Sequence, residues 1–165
     1  MDAAKLDRYL QDVLARLRAD GYNEWNMPTP DLGDVLVFHR RKAEFSKLSL
    51  VDSFCVISTR QHVTPDEFTV FSDAVYEFAI TNKSWAPRGF GGMAVAHAVV
   101  ITARPGLNLI ETAKTYVPKH WASTEFPVLV DLARREIHHF SGTQLWGAAY
   151  YRGFRQAVEK LFAPS

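Results

Sequence analysis

Four residues combine reactive side chains with a setting in which they could meet a ligand: Arg88, His97, His120 and Trp121. Arg88 lies in Pro87-Arg88-Gly89-Phe90-Gly91-Gly92. A flap there would offer a planar guanidinium to a carboxylate or phosphate, whereas the plainer reading is a tight loop or a close backbone crossing. His97 falls in an alternating apolar run, where a histidine is either a hydrogen-bonded core residue or, facing a cavity, an acid–base group. His120 and Trp121 follow a short helical pattern, in a loop that ends at Pro127. A histidine beside a tryptophan on a loop can line a pocket, or the tryptophan can plug the core with the histidine outside. Loops 84–92 and 117–125 would then wall an aromatic cavity in which Arg88, His97 and His120 converge, a small-ligand site or an enzyme.

Several common chemistries find no support. The glycines of 89–92 follow a helical stripe and precede a strand, the reverse of the order that presents helix amides to a phosphate. No serine occupies a G-x-S-x-G elbow. Cys55 is the only cysteine and sits in Phe54-Cys55-Val56-Ile57, so it reads as a small buried hydrophobe. The six histidines form no H-E-x-x-H pair. His39 and His62 are far apart, and a strand would point His138 and His139 to opposite faces. Glu136 and His138 do share a face, which allows a two-residue metal or proton contact, but no metal site is expected and no cofactor is assigned. Arg40-Arg41-Lys42, with Lys47 and the flanking Phe38 and Phe45, is the one basic cluster with interleaved aromatics. It reads as a solvated turn, so nucleic-acid binding is not expected.

Helical and extended patterns place these residues. Leu6, Leu10, Val13, Leu14 and Leu17 recur at helical spacing over residues 3–19, with Gly21 where a glycine stop belongs. Residues 22–33 read as a loop. Strands are expected at 34–40, ended by the charged turn, and at 47–59, with a bend near Asp52-Ser53. Thr64, Pro65 and Glu67 form a helix start with a capping box, and Phe68, Phe71, Val75 and Phe78 continue its stripe to about residue 82. Residues 93–103 are apolar on both faces, as in a central strand covered on both sides. Asn108 and Glu111 suggest a second capping box on a short helix that Pro118 stops. A hairpin is expected from 126–132 and 136–140, then a helix over 143–162 capped by Ser141 or Thr143.

The element order helix, strands, helix, strand resembles the PD-(D/E)xK nuclease core. That resemblance would imply a metal-dependent nuclease, with a strand-borne acid followed by an acid-x-Lys triplet. Asp34 could stand as the first carboxylate. Glu44-Phe45-Ser46-Lys47 has one residue too many between acid and lysine, and the second strand holds no such triplet.

The expected architecture is therefore α+β: one domain over residues 1–165, with a single mixed or largely antiparallel sheet of about five strands and long N-terminal, central and C-terminal helices packed on it. The chain has 165 residues, 47% of them hydrophobic and 22% charged, enough to build an ordinary core. Nineteen Lys and Arg against 18 Asp and Glu leave a net charge of +1, too small a field to draw in nucleic acid or an anionic membrane. Residues 1–5 lead into charges rather than an apolar h-region, and no apolar run approaches the roughly 20 residues that span a bilayer. A cytoplasmic setting is expected. With no catalytic constellation in view, the leading expectation is a non-catalytic interaction domain that binds another protein or forms a homodimer. Aromatics such as Trp146, Tyr150 and Tyr151 would supply its interface. The pocket around Arg88, His97 and His120 is the alternative.

Overall fold

The computed structural model describes residues 2–44, 49–84, 92–118, 120, 123–142 and 148–164, with backbone alone for 30, 44, 49 and 148–152. Helix α1 (Ala3–Ala19) opens with Asp2, whose carboxylate accepts from the Ala4 and Lys5 amides at 3.1 and 3.4 Å. It closes as the glycine signal predicts. Gly21 takes φ 86°, its amide reaches the Arg18 carbonyl, and the Tyr22 amide reaches the Leu17 carbonyl. That pair of bonds needs a left-handed residue, which glycine supplies without strain.

After α1 come β1 (Asn23–Glu24), a short 3-10 turn (Pro30–Leu32), β2 (Leu36–Glu44), β3 (Ser49–Thr59), α2 (Pro65–Asn82), β4 (Gly92–Thr102), α3 (Leu107–Thr115), β5 (Ser123–Asp131), β6 (Glu136–His138) and α4 (Ala148–Phe162). The strands form one mixed sheet in chain order. β1–β2, β2–β3 and β5–β6 are antiparallel, and β3–β4 and β4–β5 are parallel. The α+β class with helices on one mixed sheet is as expected, with six strands rather than about five. The sixth is β1, a two-residue ladder hidden in a loop-like sequence and held by its register with Phe38 and His39.

Strand register sorts side chains between two cores. Phe38, Cys55, Ile57, Val99, Phe126 and Val128 pack under α1 and α4, with Val13, Leu17, Val158 and Leu161 above them. On the other face Val37, Phe54, Val56, Ala96, Ala98 and Leu129 meet Phe68, Phe71 and Val75 of α2 and Leu109 of α3. Both faces of β4 are covered, as its double-sided apolar pattern requires. Each fully buried Val, Leu or Phe contributes about 1.5–3 kcal/mol of transfer free energy. The two cores thus hold the sheet from both sides.

Local expectations divide. The Thr64 capping box forms, with Thr64 Oγ1 accepting from the Glu67 amide and the Glu67 carboxylate accepting from the Thr64 amide. The second box does not. α3 starts one residue after Gly106 and Asn108 lies inside it, its side chain accepting from the Leu109 amide. Arg40-Arg41-Lys42 is not a turn but the body of β2. Arg40 bonds Asp20 on the α1 face and lies 4.5 Å from the Tyr22 ring centre, while Arg41 bonds Asp52 on the α2 face. Those acids, distant in sequence, allow a strand to carry successive cations. β3 runs without interruption through Asp52-Ser53, where a bend was expected. The expected start of the last helix near Thr143 lies outside the described residues. No helix among them is long and apolar enough to cross a membrane.

Candidate functional site

Of the four expected ligand-binding residues, Arg88 and Trp121 lie outside the described residues. His97 and His120 are separated by the sheet. In register His97 stands beside Cys55 and Phe126, on the α1/α4 face, with its ring centre 6.1 Å from that of Phe126. It is 3% exposed, and its Nδ1 has no hydrogen-bond partner among the described residues. Burial pushes the imidazole down to about 4, with Arg40 adding to the effect, so it is neutral at pH 7. Cys55 beside it is fully buried, and burial pushes its thiol up, leaving it unreactive. The core readings of both residues suit these positions.

His120 belongs to the opposite face and to a different set of neighbours. Its Nε2 lies 2.6 Å from Oε2 of Glu125. The Glu125 side chain is 0% exposed and that of His120 is 23% exposed. Ser72 Oγ on α2 donates to Glu125 Oε1 at 2.5 Å. The imidazole stacks on the Tyr76 ring, 3.5 Å between centres at 10°, and Tyr76 Oη pairs with Ser123 Oγ at 2.8 Å. Tyr116 Oη donates to Asp73 Oδ1 at 2.7 Å. Each piece has a positional cause. Ser72, Asp73 and Tyr76 fall on one side of α2 at helical spacing. Glu125 pairs in register with Ala96, whose small side chain leaves room for the carboxyl beneath α2.

The electrostatics suit proton exchange. Burial pushes the Glu125 carboxyl above the ordinary carboxylate range, and the nearby Asp73 carboxylate adds to this, against the Ser72 and His120 hydrogen bonds. Burial also pushes the Tyr116 phenol up, its bond to Asp73 contributing. Glu125 Oε2 and His120 Nε2 stand at hydrogen-bond distance, so one of them donates to the other, and in the neutral ring with Nε2–H the Nδ1 atom is an acceptor.

A second buried carboxylate stands on the same face. Asp52 of β3, 0% exposed, accepts from His39 Nε2 and Arg41 Nε at 2.8 Å each and from the Ser84 amide at 2.9 Å. Burial acts to raise its carboxyl, but these partners outweigh burial and hold it below the usual carboxylate value. His39 is enclosed by Phe54 and Trp25, with ring centres 4.5 and 5.7 Å away.

Neither Glu125 nor Asp52 was singled out by sequence reasoning. The available signal was an acid within a strand-forming stretch: Asp52 between Val51 and Phe54, and Glu125 just before Phe126. Ser123, Thr124 and Glu125 look like loop residues in sequence, so β5 starts three residues earlier than expected. The Glu136–His138 pair stands at 3.6 Å with His138 buried, and no group of three or more metal-ligating side chains occurs among the described residues. Asp34, the candidate nuclease carboxylate, is exposed ahead of β2. Comparison of the chain with family models, curated proteins and solved structures yields no match in any of the three.

Proposed function

We propose that the chain is a small-ligand-binding protein in which His120 is the proton-transfer group and Glu125 the carboxylate that positions it. The observation that carries this reading is the Glu125–His120 contact at 2.6 Å, with the carboxyl fully buried and the imidazole partly open. A carboxylate meant only to neutralise a cation would be expected to meet lysine or arginine. Glu125 instead meets a hydroxyl and an imidazole, groups able to pass a proton. Arg88 and Trp121, from the flanking segments, are proposed as further ligand contacts. The buried thiol of Cys55 fits a reducing cytoplasmic setting.

The test is a ligand-observed NMR screen of small polar fragments, followed by mapping on the protein. Hits that shift the His120 imidazole and are lost in His120→Ala support the reading. Hits that leave His120 unmoved, with a Glu125→Gln imidazole that keeps the wild-type tautomer, would overturn it.

Self-association is a second reading, favoured by Leu107 and Val70, which are 80% and 66% exposed on α3 and α2. Sedimentation at rising concentration tests it, and a monomer throughout removes it.

A further inference from the structure

We infer that a second site, for a small organic anion with an apolar body, lies at the opposite end of β5 from His120. A cleft of about 550 Å³ opens there between the first turns of α1, the β5–β6 turn and the end of α4. Its size falls within the range of small-ligand pockets, roughly 300–1,000 Å³. Ala103, just past the carboxyl end of β4, and Leu132 and Ala133, just past that of β5, line it. Tyr9 adds its ring, and its hydroxyl is tied to the Phe162 carbonyl at 2.7 Å. These surfaces accept an apolar body.

The charges are of mixed sign but weighted one way. Lys5, Arg8 and Arg135 line the cleft, opposed by Asp2 and Asp12. Asp2 is committed to the amides that begin α1. Lys5 and Arg8 have no ion pair among the described residues.

Arg135 supplies an independent observation. It is the one described non-glycine residue with positive φ, at 59°. Glycine would occupy that conformation without the penalty a side chain incurs. An arginine here accepts local strain and places a guanidinium at the cleft, and strain of this kind concentrates at binding sites. Neighbouring Arg134 bonds Asp131, whose other oxygen accepts from the Ala133 and Arg134 amides of the turn.

β5 runs nine residues between the two sites, about 30 Å of extended chain. The inference therefore does not depend on the chemistry proposed for His120.

The probe is anilinonaphthalene sulfonate, an apolar body with one anionic group, followed by fluorescence on the folded protein and by backbone NMR. Saturable binding at one site per chain is expected, with shifts at Lys5, Arg8, Ala133 and Arg135. Arg8→Glu should weaken it about tenfold, as loss and reversal of one charge-assisted contact implies. Arg135→Gly should also weaken it while leaving thermal stability equal or higher, which separates lost binding from lost folding. Lys114→Glu, a like charge change away from the cleft, should leave it unchanged. Anilinonaphthalene without the sulfonate should bind more weakly than the sulfonate. Equal binding of the two probes, insensitivity to both cleft variants, or shifts centred on His120 and Tyr76 would overturn the site.

Discussion

Asp52 and Glu125 are both wholly buried on the α2 face of one sheet, in neighbouring rows across β4, and each holds a histidine. Their surroundings drive them in opposite directions. Asp52 receives a guanidinium, an imidazole and a backbone amide, and is held as an anion. Glu125 receives a hydroxyl and an imidazole, faces the field of Asp73, and is pushed toward its protonated form. Burial raises the cost of charge for both. The number and charge of the donors decide which carboxylate stays ionised and which can exchange a proton.

The sharpest way to break the comparison is to remove the fixed anion. Asp52→Ala leaves Arg41, His39 and the Ser84 amide without their acceptor. Because Arg41 is half exposed, the expected loss is about 2–3 kcal/mol rather than the full cost of a buried pair. Urea unfolding at pH 7 measures it, and a loss comparable to an ordinary surface change would make Asp52 dispensable. Asp52 also predicts an acid limb. Its folded pKa lies below the unfolded value, so its contribution is present above about 3.8 and is lost as pH falls through the folded value. Asp52→Asn should flatten that limb.

His97 gives a buried ionisable group with no such partner. Its pKa falls from 6.5 unfolded to about 4 folded. The unfolded chain therefore binds the extra proton between those values, and stability should rise with pH across that window by up to about 1.4 kcal/mol per unit. His97→Leu should remove this slope while keeping the fold. An unchanged slope would place the proton elsewhere.

Glu125→Gln is expected to be the gentlest at neutral pH, within about 1 kcal/mol of wild type, because the amide keeps the shape of a carboxyl that burial already favours as neutral. The sign of its pH dependence is opposite to that of Asp52. With a raised folded pKa, the Glu125 contribution is complete below 4.5 and is lost as pH rises through the folded value. The stability difference should therefore move in favour of the variant as pH rises from 4.5 through the folded value. A difference moving the other way would mean that Glu125 is a stabilised anion like Asp52, and the comparison would collapse.

Much of the frame was legible because it rests on local rules. The leucine stripe and Gly21 delimit α1, Thr64-Pro65-Asp66-Glu67 begins α2, and the two-sided apolar run of β4 marks the centre of the sheet. The failures share one cause. Arg40 and Arg41 resembled a turn because Asp20 and Asp52, which permit cations in a strand, are brought to them by folding. Ser123-Thr124-Glu125 resembled a loop because the partners of Ser123 and Glu125, which are Tyr76, Ser72 and His120, reach them only in the folded structure.

The sequence by itself determined most of the elements, their apolar faces and the burial of Cys55, since periodicity and capping act over a few residues. It also supplied His97 and His120 as histidines worth weighing. Only the tertiary structure put them on opposite sides of the sheet, and only it gave His120 a buried carboxylate. A strand sends alternate residues to opposite faces, but which face meets which helix, and which acid lies under it, depends on register between strands far apart in the chain.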